Sequence, residues 1–148
     1  MTLSRRDALA LGLGAPLLLV ARPARATPET MAAAVADFTG GAPATEGRIT
    51  LDIPLLVENG NAIPVTVTVD SPMTADDHVQ EIVLFNERNP LPEILRVRPS
   101  PAMGRASLQT RIRLGDTQRV HAYARMSDGS LWTTAVNVIV TAPACIEG

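Results

Sequence analysis

The sequence predicts an all-β fold, an immunoglobulin-like antiparallel β-sandwich of about seven strands preceded by one short N-terminal helix. Three observations point there. Apolar residues recur at every second position in one segment after another from Ile49 onward, the period of a half-buried strand. Asn, Gly, Pro and Asp pairs punctuate those segments at intervals of roughly ten residues. No helical period intervenes between them, so a parallel α/β arrangement, which needs crossover helices, fits less well.

The chain opens on an address. Ser4-Arg5-Arg6-Asp7 precedes an apolar run from Ala8 to Ala21 and an Ala24-Arg25-Ala26 end, the pattern of a twin-arginine export signal cleaved after Ala26. The run is shorter than the ~20 residues that span a bilayer as a helix, and Gly12, Gly14 and Pro16 weaken it further. Residues 1–26 are therefore expected to be a signal peptide, with no membrane anchor in the mature chain and the periplasm as its destination. Cleavage removes Arg5, Arg6, Arg22 and Arg25 with Asp7, leaving nine basic against fourteen acidic side chains, a net of −5. That balance argues against nucleic acid and anionic membrane as partners. What remains suffices for one domain with one core. Phe38, Phe85, Tyr123 and Trp132 are its only aromatic side chains, so Val, Ile and Leu must fill most of that core. Because twin-arginine export usually carries proteins already folded or already assembled, a companion subunit is expected.

Each element follows in order. Thr27-Pro28-Glu29 reads as N-cap, N1 proline and early acid. Met31, Ala34, Val35 and Phe38 then recur at i, i+3, i+4, i+7 up to Gly40-Gly41, which places a short amphipathic helix within residues 27–41. The sandwich is expected over residues 42–141. Ile49, Leu51, Ile53, Leu55 and Val57 alternate with mostly polar partners; Asn59-Gly60 supplies a turn; Ile63, Val65, Val67 and Val69 alternate again. The expectation is one hairpin closed by a tight Asn-Gly turn. Further strands are expected near Val79–Phe85, Ile94–Val97, Ser107–Leu114, Arg119–Met126 and Leu131–Thr141. They are separated by Asn89-Pro90, Pro99 to Pro101, Gly115-Asp116 and Asp128-Gly129.

Few residues carry the means for chemistry. His78, His121 and a single distant cysteine do not form a metal-ligand cluster. His121 alternates with Arg119, Tyr123 and Arg125 on one outward face, and Arg111 and Arg113 share another, which reads as solvated or interface surface. Serine-hydrolase and phosphate-cradling motifs are absent, and Asp76-Asp77 looks like a solvated loop. Cys145 remains, in Thr141-Ala142-Pro143-Ala144-Cys145-Ile146-Glu147-Gly148. A lone cysteine in an exported chain has no internal partner. It is a fortuitous tail thiol, half of an intermolecular disulfide, or a handle. As a handle, five residues past Val140 at ~3.3–3.6 Å each would carry the sulfur roughly 17 Å from the sandwich on a carrier arm of residues 142–148. Glu147 and the terminal carboxylate are like charges that disfavour thiolate, so activation is expected from partners.

Several segments together resemble one family. Ile53-Pro54, Glu58-Asn59-Gly60 with Ile63-Pro64-Val65, Asp70-Ser71-Pro72-Met73 and Asn89-Pro90-Leu91-Pro92 carry the likeness. So do Thr110-Arg111-Ile112-Arg113-Leu114, Thr117-Gln118 and Met126-Ser127-Asp128-Gly129. Over most of the mature chain they resemble SoxY, the carrier subunit of the periplasmic sulfur-oxidation (Sox) system that processes thiosulfate. The resemblance implies a heterodimer with a SoxZ-like subunit and covalent attachment of the sulfur substrate to a cysteine near the C-terminus, here Cys145. It implies three partner enzymes: a c-type cytochrome complex that couples thiosulfate to that sulfur, a hydrolase that releases sulfate, and a sulfane-sulfur dehydrogenase. The carrier itself would catalyse nothing and hold no cofactor. The tail departs from the family's usual Gly-Gly-Cys-Gly-Gly, because Pro143, Ala144, Ile146 and Glu147 add restraint and bulk where glycine gives a thin, mobile arm.

Two functions from different classes follow. One is a covalent carrier of sulfur-oxidation intermediates working through Cys145. The other is a non-covalent adaptor, or a paralogous carrier outside thiosulfate oxidation, that keeps the fold and partner surface while the tail carries no thiosulfate-derived cargo. A thiol oxidoreductase would need a C-x-x-C pair or a resolving cysteine, and the chain has neither.

Overall fold

The computed structural model describes residues 26–145. The expected signal peptide lies outside them apart from Ala26, as do Ile146, Glu147 and Gly148 of the expected arm. Helix α1 spans Pro28–Thr39. Thr27 caps it through a reciprocal exchange with Thr30, Pro28 occupies the first turn, and Gly40 ends it in the left-handed conformation at φ 65°, where a side chain would be strained. Among the described residues no helix is long and apolar enough to cross a membrane.

Nine strands follow: β1 (Thr45–Glu46), β2 (Ile49–Asp52), β3 (Leu56–Val57), β4 (Ile63–Val69), β5 (Val79–Asn86), β6 (Glu93–Val97), β7 (Ala106–Ile112), β8 (Gln118–Met126) and β9 (Leu131–Val140). They form two sheets. The larger runs β1-β9-β8-β5-β6, with β3 also on β9; the smaller runs β2-β4-β7. The immunoglobulin-like sandwich expected from the sequence is present, with two short strands added. The long ladders are antiparallel, whereas β1 and β3 run parallel to β9.

Of the two additional strands, β1 precedes the first expected strand, and the second arises because that expected strand is divided. Ile49 to Val57 alternates as one strand in the sequence but is divided in space: Ile49–Asp52 pairs with β4, and Leu56–Val57 crosses to β9. Pro54 has no N–H for a ladder, so the chain leaves the smaller sheet there. The expected hairpin is thereby corrected. The register Ile49↔Val69 to Asp52↔Thr66 is antiparallel, but residues 53–62 make an excursion to the other sheet instead of a two-residue turn. Gly60 is not among the glycines at positive φ, so it does not use the backbone freedom that an Asn-Gly hairpin turn demands.

Two apolar clusters organise the interior. Between the sheets, Ile63, Val65 and Val67 of β4 meet Ile82 and Leu84 of β5, Val120 of β8 and Val138 of β9, each at 1% exposure or less. On the outer face of the larger sheet, α1 lays Phe38 over Val83, Phe85 and Leu131. Phe38, Phe85 and Tyr123 stand edge to face, with centroids 5.7–6.2 Å apart. Arg96 and Arg125 lie over the Phe38 ring at 5.6 and 4.9 Å. The face expected to be outward along β8 is therefore divided: Arg119 is exposed, while Tyr123 and Arg125 are drawn beneath the helix.

Candidate functional site

Strand β9 delivers the C-terminal segment to one end of the sandwich. Thr117 fastens its last residue, its hydroxyl accepting from Val140 N (3.0 Å) and donating to Val140 O (3.4 Å). Beyond the strand the backbone stays bonded to the body. Thr141 N donates to Val57 O at 2.9 Å, Gly60 N to Ala142 O at 2.8 Å, and Ala144 N to Leu114 O at 3.0 Å. Leu114 N donates in turn to Gly60 O at 2.9 Å. Two loops and the tail thus share one set of amide bonds. Ala144 is buried, Pro143 is exposed and has no N–H to satisfy, and Cys145 follows as an exposed free thiol.

This geometry shortens the expected arm. A reach of roughly 17 Å assumes that all five residues past Val140 are extended and free. In the structure Ala142 and Ala144 are hydrogen-bonded to the sandwich, so the sulfur stands one residue beyond a fixed backbone position. Residues 142–144 belong to the body of the domain.

Gly60 has a steric role at this junction. A Cβ there would lie 2.7 Å from Ala144 N and 3.1 Å from Val140 Cγ1, and would also collide with the Leu114 carbonyl oxygen. Backbone atoms have no rotamer by which to yield, so any side chain would displace the tail or the Leu114 loop.

A buried polar cluster braces the Leu114 loop from below. Asn89 Nδ2 donates to Arg113 O at 2.8 Å, and its Oδ1 accepts from Gly115 N and from Gln118 Nε2, both at 3.0 Å. One side chain therefore grips the peptides on both sides of Leu114. Asn89 N in turn donates to Asn86 Oδ1 at 2.7 Å, and Asn86 Nδ2 reaches Leu91 O at 2.8 Å. Asn86, Asn89 and Gln118 are all buried, and their polar atoms are paired, as buried amides require. Asn59-Gly60, Asn89-Pro90, Leu114 and Thr117-Gln118, scattered along the sequence, meet at this end.

The other candidate residues lie apart from the thiol. His121 Nε2 is 3.2 Å from Glu87 Oε1 on the larger sheet, a half-buried pair and not a bare solvated face. His78 Nδ1 is 3.1 Å from Thr74 O in the loop before β5. Among the described residues no group of three or more His, Cys, Asp or Glu side chains is placed to hold a metal ion. Arg111 and Arg113 are exposed, and Asp76 and Asp77 are exposed in a loop shaped by Thr74, whose hydroxyl accepts from Asp77 N at 3.0 Å. The backbone latch on the tail has no signature in residue spacing, since its donors and acceptors are main-chain groups from three distant segments.

Residues 35–145 match the family model described as sulfur oxidation protein SoxY. The solved structure of the sulfur carrier protein SoxY from Chlorobium limicola f thiosulfatophilum superposes with a TM-score of 0.64 at 25% identity, covering 76% of this chain and 97% of that one. Superoxide reductase (neelaredoxin) from Ignicoccus hospitalis gives 0.57 at 18% identity, covering 64% and 80%. The superoxide reductase from Nanoarchaeum equitans gives 0.53 at 15%, covering 66% and 100%. The two reductases share the fold alone. No curated protein matches the chain.

Proposed function

The chain belongs to the SoxY family of sulfur oxidation proteins, a carrier and not an enzyme, and on that premise we propose that it carries sulfur-oxidation intermediates covalently on Cys145. The observation that supports this reading is the placement of the chain's single cysteine: exposed, unpaired, and held at the rim of the sandwich immediately after a bonded backbone.

The chemistry a thiol supplies here is simple. Two-electron oxidation by a c-type cytochrome complex joins the Cys145 thiolate to the terminal sulfur of thiosulfate, giving Cys–S–S–SO3⁻, and the two electrons leave through the haems. Hydrolysis of the S–SO3 bond then adds water, releases sulfate and two protons, and leaves a persulfide on the cysteine. A sulfane dehydrogenase then oxidises the outer sulfur of the persulfide with three waters to Cys–S–SO3⁻, passing six electrons to its acceptor and releasing six protons, and a second hydrolysis releases sulfate and a proton and restores the thiol. This chain's part is to hold the sulfur in an accessible place throughout. Export by the twin-arginine route to the periplasm, as a complex with a SoxZ-like subunit, completes the reading. Arg5-Arg6 and the Ala24-Arg25-Ala26 site support the export step.

The test is intact mass of the protein from the native periplasm during growth on thiosulfate, with Cys145→Ser alongside. The expected result is a chain beginning at Thr27 that bears reductant-labile adducts of sulfur, sulfonate or thiosulfate mass on the wild type alone. A thiol that stays unmodified would transfer the assignment to a non-covalent adaptor.

A further inference from the structure

We propose that Gly60 and Asn89 are positioning residues for Cys145: together they latch the tail to the end of the sandwich, so that the sulfur is presented at a fixed place on the rim and not on a swinging arm. This rests on Cys145 being the carrying residue. Three observations join in the argument. Ala142 O and Ala144 N, on either side of Pro143, are both bonded to the body, through Gly60 N and Leu114 O. Gly60 leaves just enough room for the tail to lie against it, with a would-be Cβ 2.7 Å from Ala144 N. Asn89 fixes the acceptor, since its side chain bonds Arg113 O and Gly115 N and so holds the Leu114 peptide between them.

The bonds form one path. Asn89 sets the 113–115 loop; Leu114 N binds Gly60 O; Gly60 N and Leu114 O then bind the tail. Removing Asn89 frees the acceptor loop, adding a side chain at Gly60 displaces the tail itself, and either releases Cys145 by a different route. The functional consequence follows from entropy. A free arm must be ordered anew at each encounter, whereas a latched one meets that cost once, on folding. A partner must then bring its reactive groups to the end of the sandwich where Cys145 emerges past the buried Ala144.

The single cysteine makes the test direct. A nitroxide attached to Cys145 of the full mature protein is expected to give a broadened, restricted spectrum in the wild type. Gly60→Ala, Asn89→Ala and Ala144→Pro should each narrow it severalfold toward that of a free peptide. Ala144→Pro removes the N–H that binds Leu114 O and sets a ring in its place, at a position outside both apolar clusters, so it serves even where Gly60→Ala fails to fold. Phe38→Ala destabilises the opposite side of the larger sheet and should leave the spectrum unchanged, which separates positioning from loss of stability. The Ala144 amide should be protected from exchange in the wild type and lose that protection in Gly60→Ala. A wild-type label as mobile as in the variants would overturn the latch. That outcome is distinct from an absent adduct on native protein, which would overturn the carrier reading and leave the spectra as expected.

Discussion

Helix α1 and the C-terminal tail are both fastened to the sandwich, the helix mainly through rings with one hydrogen bond from Arg125 to Phe38 O, and the tail through amides. Under α1, Phe38 is 3% exposed against Phe85, Val83 and Leu131, and two guanidiniums lie over its face. Apolar contact of this kind scales with area and tolerates small shifts of the helix. At the tail, attachment depends on N–H···O=C bonds of 2.8–3.0 Å, and such bonds weaken steeply with misalignment. The difference teaches what each fastening is suited for: the rings contribute stability without fixing a place, and the amides fix a place.

The largest effect is expected where area is lost. Phe38→Ala should cost about 3 kcal/mol, the usual penalty for removing a buried ring whose site collapses only in part. Urea denaturation would read it as a lower midpoint. Modification of Cys145 by a small alkylating reagent should keep its wild-type rate in the folded state. A changed rate would show that the two fastenings are coupled and that the rings help to fix the position of the tail.

Asn89→Ala comes next, at about 2 kcal/mol, because it takes the partner from the part-buried Arg113 O and Gly115 N and leaves Gln118 Nε2 with Asp116 O alone. Equilibrium unfolding measures the loss, and the alkylation rate at Cys145 should rise with it. Stability lost with no change at the thiol would mean that the Leu114 loop keeps its shape without Asn89. The amide cluster would then be a structural feature only.

These two positions also show what the sequence could and could not disclose. Phe38 was legible: Met31, Ala34, Val35 and Phe38 recur at helical spacing between a Thr-Pro start and a Gly-Gly stop, and the helix lies where that pattern places it. Long strands were legible for the same reason, since period two persists through β4, β8 and β9. Asn89 was not, because Asn-Pro reads as a surface turn and nothing local says that its amide is buried 24 residues from the carbonyl it binds. Gly60 has the sequence context of a turn glycine, whereas its constraint is the approach of two other segments. Cys145 stood out by elimination, but the length of its arm depended on main-chain bonds, and every residue type but proline can make those. Alternation likewise hid the crossing at Pro54, since both halves of Ile49 to Val57 keep the same phase while belonging to different sheets.

The smallest effect is expected at the ion pair beside the helix. Arg96 forks onto Glu93, with Nη2 to Oε2 at 2.7 Å and Nε to Oε1 at 3.1 Å, and this contact holds the Glu93 carboxyl below its ordinary range against a weaker opposing pull from burial. A carboxyl depressed in the folded state contributes stability that is present above its unfolded value and disappears as pH falls through the folded one. Both side chains are more than a third exposed, so solvent screens the pair, and Glu93→Gln should cost only about 0.5 kcal/mol near neutrality. Arg96 also bonds the buried Glu81 at 3.1 Å and would keep its place over Phe38, so the substitution should flatten the acid limb of a stability-against-pH curve and leave helix attachment intact. Were Glu93→Gln to cost as much as Phe38→Ala, the rings would not be what holds α1. The helix would then be fastened, like the tail, by directed polar contacts.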